Sequence, residues 1–210
     1  MDVETLLDGL NDRQREAVAA PLENLLVLAG AGSGKTRVLV HRIAWLLGVE
    51  HASPFSILAV TFTNKAAAEM RGRIEKLLGD GVHLNSHGHA GMWVGTFHGI
   101  AHRLLRAHHL DAGLPQDFQI LDSDDQLRLI KRVVRSLNLD EKQWVPRAVM
   151  GYINGKKDDG LRPKDIEPFG DVASRTYHKL YQVYQETCDR AGLVDFAELL
   201  LRAHELWLHK

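Results

Sequence analysis

One cysteine, Cys188, in 210 residues excludes an internal disulfide, and its place in a tyrosine-rich helical pattern reads as an ordinary, partly buried thiol. A reducing cytoplasm is the compartment this usage implies. No stretch approaches the roughly 18 consecutive apolar residues that a membrane span needs, and Met1 to Leu10 is acidic with no apolar signal-peptide core. These features predict a soluble protein that is not exported and has no membrane partner. Charge of either sign is lacking in excess too: 26 Lys and Arg stand against 27 Asp and Glu, a net charge of -1. That excludes whole-molecule attraction to nucleic acid, so any basic site must be local. What is left is a globular composition, 45% hydrophobic, with material for one large core or two small ones.

Against this background one stretch stands out, Asn24 to Arg37, reading NLLVLAGAGSGKTR. The apolar run Leu25, Leu26, Val27 and Leu28 predicts a short strand buried on both faces in a parallel sheet. Gly30, Gly32 and Gly34 end it, and without Cβ atoms such a turn can aim successive N–H groups inward as an anion nest. Lys35 and Thr36 follow, and then Val38, Leu39, Ile43, Leu46 and Leu47 recur at helical spacing. The nest therefore sits at a helix N-terminus, whose dipole favours negative charge. Ala29, Gly30, Ala31, Gly32, Ser33, Gly34, Lys35 and Thr36 match the P-loop pattern, with alanine where the first glycine usually stands. By the mechanics of that pattern Lys35 reaches the β- and γ-phosphates of ATP, and the Thr36 hydroxyl takes a position on Mg²⁺.

Other segments extend the pattern. Leu10 to Ala20 predicts a short helix capped by Asn11 or Asp12; its Gln14 reads as a surface residue on periodicity, yet it precedes the P-loop strand and its amide could read the edge of adenine. A Ser53-Pro54 break leads to a second strand, Ile57 to Thr61, ending in Phe62, Thr63, Asn64 and Lys65 before a helix capped by Thr63 or Asn64. Met92 to Thr96 predicts a third strand running into Phe97, His98 and Gly99 and then a basic helix, Ala101 to His109. In an open parallel sheet these tips share an edge with the phosphate cradle. Phe62 at such a tip either tucks under the next loop or forms a platform for a nucleic-acid base. Residues 79 to 91, with His83, His87 and His89, read as a glycine-rich solvent loop, and His98 with His102 lacks the acidic partner of a zinc site.

From Ile100 onward helical periodicities are separated by Pro, Gly and Asp, with no convincing strand. Ser123, Asp124, Asp125 and Gln126 read as a capping box opening a helix with Leu127, Ile130, Val134 and Leu137 on one face. Arg128, Lys131, Arg132 and Arg135 line the opposite face, either solvated or set against duplex phosphates. Tyr177, Leu180, Tyr181, Tyr184 and Cys188 read as core; Gly192 ends their helix and Asp195 caps the last one.

The order Gln14, AGAGSGKTR at 29 to 37, TFTNKAAAEM at 61 to 70, GTFHG at 95 to 99 and LVDFAELL at 193 to 200 resembles the amino-terminal part of UvrD/Rep/PcrA-type DNA helicases of superfamily 1. The resemblance implies an α/β fold: a RecA-like P-loop NTPase parallel sheet, part of domain 1A, over residues 1 to 97, then an all-helical insert, domain 1B, over 98 to 210. It implies an ATP- and Mg²⁺-dependent helicase of DNA repair and replication, moving 3′ to 5′ on single-stranded DNA and meeting duplex junctions, with DNA-repair proteins as further partners. It assigns Gln14 to an adenine-reading motif, Arg37 to the nucleotide, and Phe62, Thr63, Asn64, Thr96, Phe97 and His98 to single-stranded DNA. The family's acidic motif, an apolar strand ending in Asp-Glu, does not occur in these residues, so the expectation is a fragment without the metal-holding Asp, the water-activating Glu and the second RecA-like domain. Two other classes share some of these features: a P-loop kinase, which needs an acceptor site and lid, and a non-catalytic DNA-binding module, which leaves Gly34, Lys35 and Thr36 without purpose.

Overall fold

The computed structural model describes residues 3–79, 91–167 and 170–209, and the chain divides into two compact units, Met1–Ile100 and Ala101–Lys210. In the first unit, α1 (Val3–Leu7) and α2 (Asp12–Val18) lead to α3 (Lys35–Gly48). Then come β1 (Leu58–Thr61), α4 (Asn64–Leu78), β2 (Trp93–Thr96) and the start of α5 (Phe97–Ala107). Strands β1 and β2 pair in parallel from Leu58 opposite Trp93 to Thr61 opposite Thr96. Parallel pairing requires a crossover, and α4 supplies it. Val40 and Ile43 of α3, Ile57 and Ala59 at β1, Met70 and Ile74 of α4, and Met92 before β2 form one core.

The run Leu25–Leu28 corrects the expectation of a buried strand. It forms no strand, and its side chains are exposed, Leu26 by 80% and Leu28 by 84%. A strand buried on both faces needs ladder partners and covering layers, and among the described residues no strand pairs with this segment.

The second unit holds the rest of α5, β3 (Gln119–Ile120), α6 (Ser123–Ser136), α7 (Pro146–Asp158), α8 (Val172–Ala191), β4 (Leu193–Val194) and α9 (Phe196–His209). It is helical as expected, except that β3 and β4 pair in parallel over two residues each. Strands this short carry too little periodicity to be read from sequence. Helix α6 starts one residue earlier than the capping-box reading placed it. Asp122 is the N-cap, its carboxylate accepting from the N–H groups of Asp124 and Asp125 at 2.9 and 2.8 Å. The inward face of α6 is Gln126, Leu129, Ile130, Val133 and Val134, with Leu127 and Leu137, expected on that face, only partly buried, while Arg128, Lys131, Arg132 and Arg135 lie outside as expected. Leu180, Tyr181, Tyr184 and Cys188 of α8 are buried in the core as expected. Burial pushes the Cys188 thiol up to about 12, which makes it inert as a nucleophile. Gly192 ends α8 in the left-handed region at φ 63°.

Candidate nucleotide and nucleic-acid sites

The glycine loop takes the shape that its residues allow. Gly32 and Gly34 have φ of 73° and 87°, angles that side chains disfavour, and α3 starts immediately after at Lys35. A Cβ on Gly34 would also lie 2.8 Å from Gln14 Nε2 and would push that amide aside. Around Gly30 and Gly32 a Cβ would meet nothing, so the cradle is open. Lys35 Nζ donates to the carbonyls of Ala29 and Gly30 at 2.9 and 2.7 Å, and Ser33 Oγ donates to Gly30 at 2.7 Å. Thr36 and Ala31 are exposed beside it. A cation, a hydroxyl and a helix N-terminus with free N–H groups converge on one open loop, and this donor set fits a Mg²⁺-bound polyphosphate.

Gln14 is joined to this loop in a way that periodicity did not show. Its Nε2 donates to the Ser33 carbonyl at 3.0 Å, while its Oε1 accepts from Asn11 N–H at 3.1 Å and Asn11 Oδ1 accepts from Gln14 N–H at 2.9 Å. The capping box of α2 thus orients the amide that braces the P-loop. Arg37 lies one turn along, its guanidinium so near Gly9 that a Cβ there would stand 2.7 Å from it. It lines a hollow of about 320 Å³ with Val40, His41, Arg73, Lys76 and Leu77, whose ionisable groups are all basic.

The strand tips form a second cluster. Because Thr61 pairs with Thr96, the residues after each strand emerge side by side. Phe62 is 89% exposed, which overturns burial under the next loop, and its ring lies 5.5 Å from that of Phe97. Thr63 is the N-cap of α4, Oγ1 accepting from Ala66 N–H at 3.1 Å, and Thr96 Oγ1 accepts from Gly99 N–H at 3.1 Å. Both threonines therefore hold helix starts, while Asn64 and His98 stand exposed next to the ring pair. Two exposed, tilted aromatic rings flanked by polar side chains make a stacking platform for flat π-systems. Since the P-loop strand is not formed, the shared edge between tips and loop expected from the sequence is not part of what is observed.

His102 is not a metal ligand candidate: Arg106 Nε donates to its Nε2 at 3.0 Å, and burial together with the Arg106 charge lowers its pKa. No metal-holding group of His, Cys, Asp or Glu occurs among the described residues; His83, His87 and His89 lie outside them. The chain's Asp-Glu dipeptide, Asp140–Glu141, follows α6 in a turn, with Glu141 paired to Arg135, and no strand leads into it.

A third cluster, in the helical unit, was missed. Lys157, itself buried, contacts Asp195 Oδ2 at 2.7 Å and Glu198 Oε2 at 2.8 Å, and Tyr184 OH donates to Asp195 Oδ2 at 2.7 Å. Arg162 joins Glu198 to Glu205 at 2.7 and 2.6 Å. Asp195 also caps α9 through Glu198 N–H at 2.8 Å, as the sequence indicated. Burial opposes the charge on Glu198, but Lys157, Arg162 and Arg202 depress its carboxyl to about 2. The spacing Asp195-x-x-Glu198 was legible; that Lys157 would meet it from another helix was not.

A glycine loop at a helix start and an exposed aromatic pair at adjacent parallel strand ends are the features of an α/β protein of the P-loop type. Residues 10–210 match the UvrD/REP helicase N-terminal domain, and the chain belongs to that family. It is 72% identical over all 210 residues to DNA helicase II of Escherichia coli (strain K12), and 68% identical to DNA helicase II of Haemophilus influenzae. It is also 41% identical over 206 residues, 96% of the chain, to the ATP-dependent DNA helicase PcrA of Bacillus subtilis. The chain spans 28% of the length of the two DNA helicase II relatives and 26% of the PcrA relative. Among the described residues no helix is long and apolar enough to cross a membrane.

Proposed function

We propose that this chain is the nucleotide-binding amino-terminal part of a cytoplasmic, ATP-dependent DNA helicase that moves 3′ to 5′ on single-stranded DNA, serving repair and replication. Residues 1–97 correspond to the first part of a RecA-like domain 1A, and 98–210 to the helical insert 1B. Lys35 and Thr36 are the catalytic groups of this part, Lys35 on the β- and γ-phosphates and Thr36 on Mg²⁺. Bound Mg²⁺ supplies charge neutralisation on the phosphate oxygens. Gly30, Gly32 and Gly34 let backbone N–H groups approach the phosphates, with Ala29, Ala31 and Ser33 completing the loop. Gln14 reads the adenine edge and Arg37 contacts the nucleotide; the basic residues lining the hollow beside Arg37 support an anionic ligand nearby. Duplex junction DNA and repair proteins are the partners of the whole enzyme.

The observation that carries this reading over a P-loop kinase is the exposed Phe62 and Phe97 pair at adjacent strand ends. An enzyme acting on small phosphate acceptors has no use for a solvent-facing aromatic step, whereas single-stranded nucleic acid stacks its bases on one. Phe62→Ala is expected to weaken binding of single-stranded DNA by about 1 to 3 kcal/mol without regard to base sequence. Fluorescence anisotropy with two oligonucleotides of different composition measures this, and unchanged affinity for both removes Phe62 from the track. Lys35→Ala is expected to weaken ATP binding by roughly 10- to 100-fold, the worth of one charge-assisted hydrogen-bonding group. Calorimetry reads it directly, and equal affinity in variant and parent would take Lys35 out of the site.

A further inference from the structure

The helix that carries Lys35 at its start also holds the Gln14 helix, through one side chain. Arg42 lies about two turns along α3 from Lys35 and is half-buried. Its Nη1 donates to the carbonyls of Val18, at 2.8 Å, and of Ala20, and its Nη2 donates to the carbonyl of Pro21 at 2.9 Å. Val18 ends α2, and the last carbonyls of a helix have no donor within it. A guanidinium there supplies the donors and meets the negative end of the helix dipole.

With 7 residues α2 is too short to keep its own shape, since isolated helices below about 12 to 15 residues are marginal in water. Its placement is set by tertiary contacts. Val18 is fully buried, but apolar burial is non-directional and tolerates a slide or a roll. The Arg42 fork does not, because three acceptors on two nitrogens of one planar group define one orientation of the segment. Gln14 stands one turn before Val18 on the same helix. An α2 clamped at its C-terminal end from α3 therefore keeps the Gln14 amide in register with the loop from which α3 starts.

That amide is only half used. Nε2 spends one N–H on the Ser33 carbonyl, and Oε1 one lone pair on the Asn11 N–H. An amide has two of each, so one donor and one acceptor remain. Adenine offers N7 as acceptor and N6–H as donor and complements this pair, whereas guanine offers two acceptors, N7 and O6.

We propose that Arg42 is a positioning residue for base selection: by clamping the end of α2 to α3 it aims the free donor and acceptor of Gln14 at the base of a nucleotide whose phosphates lie on Lys35. Arg42 acts through Gln14 and not on the nucleotide. The inference rests on the reading of Gln14 as the residue that contacts adenine.

Equilibrium titration of the 210-residue chain with ATP, GTP and inorganic tripolyphosphate tests it, with circular dichroism to show that each variant is folded. The parent is expected to prefer ATP to GTP, and Gln14→Ala to lose that preference. Arg42→Ala is expected to lower the ratio of ATP to GTP affinity about tenfold, the worth of the base-edge hydrogen bonds, and to change tripolyphosphate affinity much less. Arg42→Lys keeps the charge, but one ammonium does not reproduce the fork, so the ratio should fall there by about threefold. That variant carries the test if Arg42→Ala does not fold. A parent-like ratio in the folded Arg42 variants, with the preference lost in Gln14→Ala, overturns this inference alone. Equal loss of ATP, GTP and tripolyphosphate binding makes Arg42 a structural prop and also overturns it. A parent that binds ATP no better than GTP, or a Gln14→Ala variant that keeps the preference, overturns the adenine reading of Gln14, and the inference falls with it.

Discussion

The 210-residue chain, purified alone, is expected to bind ATP but to release phosphate at a rate at least about 10³-fold below that of a complete helicase of its family. Phosphoryl transfer needs a metal held by carboxylate, a positioned water, and positive charge on the transition state. The chain provides the phosphate cradle, with Lys35 and Thr36 at the start of α3. Asp140–Glu141 does not serve as the acidic pair, because it lies in a turn with Glu141 committed to Arg135. Asp122 is committed as well, to the N-cap of α6, and Asp125 to Arg128 at 2.7 Å. An arginine finger alone is worth about 10³ to 10⁵ in rate, and losing a metal-holding or water-positioning carboxylate with it lowers the rate further. Steady-state phosphate release with and without single-stranded DNA is the measurement. DNA-stimulated turnover above a few per cent of a full-length relative's rate, roughly the loss one arginine finger would exceed, would show that a catalytic carboxylate lies within these residues.

Lys157→Met is expected to destabilise the helical unit by about 3 to 5 kcal/mol, because it leaves Asp195 and Glu198 buried without their shared cation. Methionine nearly matches the volume of lysine, so the loss reports charge and hydrogen bonding instead of a cavity. The same network predicts acid sensitivity. Glu198 is held at about 2 in the folded chain, well below its ordinary value of 4.5. A depressed carboxyl gives stability that is complete above the unfolded value and is lost as pH falls toward the folded one. The unit should therefore weaken between about pH 4.5 and pH 2, and Glu198→Gln should flatten that part of the profile. Urea unfolding at several pH values, followed by circular dichroism, checks both. A Lys157→Met midpoint equal to the parent's would mean that the buried ion network contributes nothing net.

Much of this protein is determined locally and was legible in the sequence. Gly34-Lys35-Thr36 after an apolar run and before a helical period specifies a phosphate-type loop, because glycine conformation, a lysine and a helix start all act within a few residues. The caps at Asn11, Thr63 and Asp195 and the stop at Gly192 are likewise short-range hydrogen bonding and backbone geometry. Other features depended on partners distant along the chain. Leu25–Leu28 has the composition of a buried strand, but a strand is stabilised by its neighbours, and without them the run lies exposed. Phe62 could by its own residues tuck under the next loop or form a platform; the register of Thr61 with Thr96 sets its exposed ring beside Phe97. Gln14 read as surface on periodicity and as an adenine reader on its place before the loop; its bond to the Ser33 carbonyl, nineteen residues on, was in neither reading. Lys157 lies 38 residues from Asp195, and periodicity cannot say which buried helix faces will bring opposite charges within 2.7 Å. Local chemistry wrote the loop and the caps into the sequence; burial and long-range pairing, which depend on which surfaces meet, were decided only in the fold.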